Sequence, residues 1–193
     1  IEKTTHKKNL FIKKDIKLLH EVSNLVEKPY IFLAKFRESF LKLPSEILIT
    51  TMKKNQKYFP LYDSENNLSN YFILVSNNRS RDNGKTIIEG NQRVVNARLE
   101  DALFFWERDN KKKLQHYSEK LNKIIFHSEI GSIYEKVLRL EKLALFLSQK
   151  FKYKNKQKVN LLDTIHLLKN DLATEVVQEF PDLQGIMGAY YAK

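Results

Sequence analysis

Residues 90–109 read GNQRVVNARLEDALFFWERD, and within them Val95, Leu99, Ala102, Leu103 and Trp106 form one apolar stripe. Steps of three and four residues are the period of an amphipathic helix, so this stretch predicts a long helix with one buried face. Upstream of Gly84 the pattern is different. Ile47–Met52 and Tyr71–Ser76 are rich in β-branched and aromatic residues and predict strands. Gln56–Tyr62 lies between them, and its Pro60 predicts an edge or a bulge. Asp63–Asn67 carries turn chemistry.

Ahead of these, Lys14–Glu27 places Ile16, Leu19, Val22 and Val26 at helical spacing, and Pro29 closes that helix. Tyr30–Ala34 is apolar and β-prone, and Phe36–Phe40 runs toward Pro44 through a helical turn. The first half therefore predicts an antiparallel sheet with a helix on it. The second half predicts helices only. Leu114, Leu121 and Ile125 continue a helix until Gly131, and Ile133, Val137, Leu140, Ala144 and Leu147 make the next stripe. Ile165, Leu168, Leu172 and Val176 make a last one, with Asn160 as its N-cap. The fold class is α+β, divided into residues 1–89, connector helices over 90–125, and a helical portion over 126–193.

The last stretch, Glu179–Ala192, reads EFPDLQGIMGAYYA. Pro181 should end one helix or begin the next, and Gly185 and Gly188, three apart, would leave one helical face bare for close backbone approach.

Bulk composition narrows the class. A chain of 193 residues with 42% hydrophobic content can build a core. No apolar run approaches the ~18 residues that span a bilayer, and no charged-then-apolar leader opens the chain, so the expectation is a protein of the cytoplasm without membrane contact. The start at Ile1 predicts an internal portion of a longer protein. With no cysteine, disulfides, thiolate metal sites and cysteine nucleophiles are excluded.

The formal net charge is +11, from 34 Lys and Arg against 23 Asp and Glu, which favours a polyanionic partner. The charge is clustered. Lys111, Lys112 and Lys113 form one knot; Lys150, Lys152, Lys154, Lys156 and Lys158 form another, alternating with aromatic and polar residues. Each is either a solvated loop or a surface that tracks phosphates and loses affinity as salt rises.

Chemistry-bearing motifs are scarce. No phosphate loop of the GxxxxGK type, no GxGxxG turn and no HExxH helix occurs. Of the five histidines, His6, His20, His116, His127 and His166, no two stand four apart. Asp171, Glu175 and Glu179 would share one helical face, as a solvated row or as a contact for a basic partner. Glu100, Asp101 and Glu107 flank Arg98 and Arg108, where ion pairing along or between helices is expected. Trp106, Tyr58, Phe59, Tyr190 and Tyr191 fit core packing better than base stacking.

The helices bearing LRLEKLALFL and LLKNDLATEVV look like the core of an HD-type domain, in which a histidine on one helix and a His-Asp pair on another bind metal. Laid on this pattern, Lys136 takes the first histidine position and Asn170 and Asp171 take the pair. A charged ammonium has no lone pair to donate and an amide is a poor transition-metal ligand, so Asp171 alone would hold an ion weakly. The expectations are an empty metal site with a Lys136–Asp171 ion pair in its place or, as the alternative, a metal-dependent phosphohydrolase using Asp171.

Three strings, LPSEILITTMKKNQKYFPLYD over 43–63, the 90–109 string and the 179–192 string, resemble the beta subunit of bacterial glycyl-tRNA synthetase, with a weaker match in FHSEIGSIYEKVLRLEKLA over 126–144. The resemblance runs from about Leu43 to Ala192. It implies a portion like the editing module of phenylalanyl-tRNA synthetase, followed by an HD-like helical domain already degenerate in its ligands. It further implies a heterotetrameric glycine-tRNA ligase whose alpha subunit holds ATP, Mg and glycine, while the beta subunit binds tRNA(Gly). No catalytic, cofactor-binding or metal residue is carried over to this chain. The partners implied are the alpha subunit and tRNA(Gly).

Overall fold

The computed structural model describes residues 8–78 and 80–193. The chain divides into two compact units, Ile1–Phe104 and Phe105–Lys193.

The first unit is built on a four-stranded antiparallel sheet of β1 (Phe11–Ile12), β2 (Tyr30–Lys35), β3 (Phe59–Tyr62) and β4 (Leu68–Ser76), in the order β1-β3-β4-β2. The register sets Leu33 opposite Ile73 and Ala34 opposite Phe72, and it shifts between Pro60 and Tyr62, where the proline predicted a bulge. Because side chains alternate along a strand, Ile73 and Val75 point to one face and Phe72 and Leu74 to the other. Helix α1 (Ile16–Leu25) covers the first face, with Leu18 and Val22 packed among Leu10, Phe59, Leu61 and Ile73. Over the second face, the Tyr58 ring stacks on Phe72 at 4.8 Å. The Tyr58 hydroxyl donates to Asn91 on helix α3 (Lys85–Asp109). A sheet buried on both faces needs a continuous apolar run rather than alternation, which is why β4 carries YFILV.

Two local expectations fail here for identifiable reasons. Residues 47–52 are helical: α2 (Ser45–Thr50) runs on into a π-helical turn over Thr51–Asn55. Pro44 and Glu46 supply a helix start, and Ile47, Leu48, Thr51 and Met52 are all buried at helical spacing. Burial on one face of a helix outweighs the β preference of ILIT. In α1 the buried stripe is Leu18 and Val22, whereas Ile16 and Leu19 are about half exposed, at 52% and 48%. Ile16 and Leu19 stand beside Leu18 and Val22 along this helix, so spacing alone permits two stripes. The buried stripe is the one that packs on Phe59, Leu61 and Ile73, and ion pairs from Lys53 to Asp15 (2.7 Å) and from Lys57 to Glu21 (2.6 Å) flank it.

The second unit is mainly helical. After the end of α3 come 3-10 turns at Leu114–Tyr117 and Glu119–Lys123, then a small hairpin of β5 (Ile125–His127) and β6 (Gly131–Ser132). These replace both the helix expected through Ile125 and the absence of strands expected after Gly90. Gly131 opens β6 directly after the turn at 128–130 and sits at φ +90°, a conformation that favours glycine. Helix α4 (Ile133–Lys150) opens with a capping box, Ser132 accepting from the Glu135 N–H while Glu135 accepts from the Ser132 N–H. Its Val137 and Ala144 pack with Tyr117, Leu121, Ile165 and Ala173 to form the core of this unit. Helix α5 (Asn155–Leu167) begins five residues before Asn160, which therefore caps nothing. The single stripe expected from Ile165 to Val176 is split. A 3-10 turn at Asn170–Ala173 and extended backbone at Thr174 separate α5 from α6 (Glu175–Glu179). Pro181 opens a 3-10 turn to Leu183, and α7 (Ile186–Tyr191) follows.

Candidate functional site

The polar centre of the helical unit is Asp109. It is the last residue of α3 and only 1% exposed. Its Oδ1 accepts from the Glu175 N–H at 3.0 Å and the Tyr117 hydroxyl at 3.1 Å; its Oδ2 accepts from the Val176 N–H at 3.0 Å and the Tyr191 hydroxyl at 3.0 Å. The negative end of a helix dipole disfavours a carboxylate, and the first N–H groups of another helix favour it. Asp109 thus ends one helix while capping the start of α6, where Thr174 also accepts from the Val177 N–H at 3.4 Å. Burial, reinforced by the adjacent Asp109 charge, raises the Tyr191 hydroxyl well above the usual phenol range, and the Tyr117 hydroxyl is raised by the same causes. Around this centre Trp106 stacks with Tyr191 at 5.3 Å and meets Tyr190 edge-on at 6.0 Å, a packing role for all three rings. Arg108 pairs with Glu175 at 3.0 Å.

The three HD-like positions are absorbed into this scaffold. Asn170 is fully buried, and its Nδ2 lies within donating distance of Leu114 O (3.2 Å), Ser118 Oγ (2.8 Å) and His166 O (3.1 Å). Two carbonyls on that side fix the amide nitrogen there. Asn170 Oδ1 is buried with no partner among the described residues. Asp171, 4% exposed, accepts from the Gly185 N–H, and a Cβ placed on Gly188 would stand 3.2 Å from its Cγ. The two glycines therefore serve different needs. Gly185 lies before α7 at φ +79° with open space around it, and Gly188 alone gives the close approach expected of both.

Lys136 makes no ion pair with Asp171. Its Nζ sits 3.7 Å over the Phe126 ring, while Asp171 is committed to the backbone of Gly185. Asp171, Glu175 and Glu179 do not form a solvated row, because the break at Thr174 and the burial of Asp171 separate them. Among the described residues no three His, Cys, Asp or Glu side chains gather as metal ligands. His166 Nε2 lies 3.5 Å from Glu141 Oε2, His127 Nδ1 accepts from the Glu129 N–H, and His20 and His116 are exposed. His6 lies outside the described residues. No observation favours the metal-hydrolase alternative.

The lysine clusters occupy two turns of the second unit. Lys111, Lys112 and Lys113 are exposed and follow directly on α3, with the N–H groups of Lys111 and Lys112 donating to Arg108 O and Asp109 O at 3.2 Å. Cations suit the C-terminal end of a helix. Lys150, Lys152, Lys154 and Lys156 are exposed and Lys158 half-buried around the turn from α4 to α5. Lys152 holds that turn at φ +52°, the left-handed position that glycine adopts without cost. Nothing in the sequence reading singled out Asp109. An acid in the last turn of a long helix, against the dipole, is the signal that points to it.

No helix among the described residues is long and apolar enough to cross a membrane. The family model of the glycyl-tRNA synthetase beta subunit matches residues 1–193. The glycine–tRNA ligase beta subunit of Rickettsia felis (strain ATCC VR-1525 / URRWXCal2) is 44% identical over 186 residues, 96% of this chain and 27% of the relative. That of Buchnera aphidicola subsp. Acyrthosiphon pisum (strain APS) is 45% identical over 192 residues, 100% of this chain and 27% of the relative. That of Janthinobacterium sp. (strain Marseille) is 46% identical over 185 residues, 95% of this chain and 26% of the relative. The chain thus spans about 27% of the length of the curated relatives it matches. With a family model covering its whole length, the chain belongs to the glycyl-tRNA synthetase beta subunit family.

Proposed function

We propose that this chain serves as a noncatalytic part of a glycine–tRNA ligase, contributing tRNA contact and subunit packing to an α/β heterotetramer that attaches glycine to tRNA(Gly) at the expense of ATP. ATP, Mg and glycine belong, on this reading, to the alpha subunit, and the assembly works in the cytoplasm. The observation that carries the tRNA part is the run from residue 142 to residue 162. It holds Lys142, Lys150, Lys152, Lys154, Lys156 and Lys158 and no Asp or Glu. Nearly all of its α4–α5 turn is exposed, so these charges face a polyanion without competing carboxylates in the same run. The packing part is supported by exposed apolar residues on α4, including Leu143 and Phe146.

Aminoacylation by the assembled holoenzyme tests the reading. Reversal of Lys150, Lys152, Lys154 and Lys156 to Glu should raise the KM for tRNA(Gly) at least about tenfold. The KM values for glycine and ATP should stay unchanged. An unaltered KM for tRNA sinks the assignment of this turn to RNA.

A further inference from the structure

The tip of the α4–α5 hairpin carries more than charge. Phe151 is 67% exposed and Tyr153 is 40% exposed, and they alternate with Lys150, Lys152 and Lys154. Rings of this size are normally covered, and here the fold leaves them uncovered while fixing the backbone beneath them. The Phe151 N–H donates to Leu147 O at 2.8 Å, Lys152 N–H to Gln149 O at 3.1 Å, and Tyr153 N–H to Ser148 O at 2.9 Å. Next, the Lys154 N–H donates to Gln157 Oε1 at 2.9 Å, which starts α5. The tip is therefore an ordered turn, with Lys152 held in the left-handed region at φ +52°. This is the usual left-handed position just beyond a helix C-terminus, and it reverses the chain sharply between α4 and α5.

Ammonium groups suit phosphates, and exposed rings between them suit the faces of unstacked bases. A double helix offers phosphates but keeps its base faces covered by neighbouring bases. We infer that the hairpin tip is a stacking platform for unpaired nucleotides of an RNA, with Phe151 and Tyr153 taking base faces and Lys150, Lys152, Lys154 and Lys156 following the backbone. This inference rests on the tRNA reading above and narrows it to the single-stranded part of the ligand. The stack is sequence-tolerant, because every base presents a π face.

The test uses the intact beta subunit in complex with its alpha subunit and two fluorescein-labelled probes, an unstructured 10-nucleotide RNA and a hairpin-closed RNA duplex of the same charge. Three proteins are compared: wild type, the double substitution Phe151→Leu with Tyr153→Leu, and the fourfold Lys→Gln substitution at 150, 152, 154 and 156. All the substituted side chains are exposed, and unchanged thermal melting verifies the fold. The leucine pair should weaken binding of the single strand by about tenfold or more while leaving the duplex within about twofold. The glutamine set should weaken both probes. On the single strand it should also reduce the slope of log K against log salt by about 0.7 for every phosphate that is no longer neutralised. Restoring aromatic character with Phe151→Trp and Tyr153→Trp should recover single-strand affinity. If the leucine pair binds the single strand like wild type while the glutamine set does not, stacking is overturned and the tRNA reading stands. If neither set changes binding, both fail. Binding to vesicles of phosphatidylserine and phosphatidylcholine with no RNA affinity would overturn the RNA assignment in favour of a membrane surface.

Discussion

Asp109 has four donors on its carboxylate and almost no solvent, so its substitution has a predictable consequence. In Asp109→Asn one oxygen becomes an NH2 group facing donors. At least one N–H or O–H of the α6 start or the tyrosine pair then loses its acceptor. A cost of about 2–4 kcal/mol in urea unfolding is expected. Tyr191→Phe removes one charge-assisted hydrogen bond and should cost about 1.5–3 kcal/mol at neutral pH. It also has a pH signature. Tyr191 is raised above its ordinary value by burial first and the Asp109 charge second, so the folded chain keeps the proton after the unfolded chain has released it. The stability associated with the neutral hydroxyl is fully present below about pH 10 and is lost as pH rises above it. Tyr58, pushed up to about 12 by burial, adds to the same limb. Unfolding measured from pH 9 to 11 should show a shallower decline in Tyr191→Phe than in wild type.

Helix starts carry a matching acid limb. Asp15 is lowered by the Leu18 N–H it accepts and then by Lys53, Asp82 by hydrogen bonds from Ser80 and Thr86, and Glu135 by those from Ser132. Each is the acceptor at a helix start, for α1, α3 and α4 in turn. Folded values below the unfolded ones mean that their stabilisation is present above about pH 4 and is lost as pH falls below it. Ser132→Ala breaks the capping box and should cost about 1 kcal/mol, read as a lower urea midpoint at pH 7. The elements also show what could be read in advance. β2, β4, the turn at 63–67, α3 and α4 follow from β-prone apolar runs, turn chemistry and helical spacing, each of which is a local property. At residues 47–52 local β preference competed with burial and lost, whereas the helix expected through Ile125 gave way to 3-10 turns and a strand. Ile125 ended 76% exposed on a strand, and its β branch fits that place.

Across the chain, the α+β character and the change from sheet to helices were legible because the hydrophobic period changes between Ser76 and Val95. The lysine clusters were legible as charge, and both fall on exposed turns. What sequence could not supply was convergence. Asp109, Tyr117, Glu175 and Tyr191 are spread over 83 positions and meet only because the turns at 114–123 and 170–174 fold the second unit back on itself. The same convergence explains the fate of the HD-like positions. Once Asn170 ties the 114–118 turn to α5 and Asp171 holds the Gly185 backbone, both side chains serve the scaffold. The function proposed for the unit therefore shifts from its buried centre to its basic surface.

The measurement that bears most directly on that surface is tRNA binding by the α/β assembly at two salt concentrations. It compares tRNA(Gly) with an unrelated tRNA, and wild type with the fourfold Lys→Gln substitution at 150, 152, 154 and 156. Counterion release predicts tighter binding at low salt, and the substituted protein should bind both tRNAs more weakly with a smaller salt slope. Equal affinity and equal salt slope in the two proteins would contradict the assignment of tRNA contact to the α4–α5 turn.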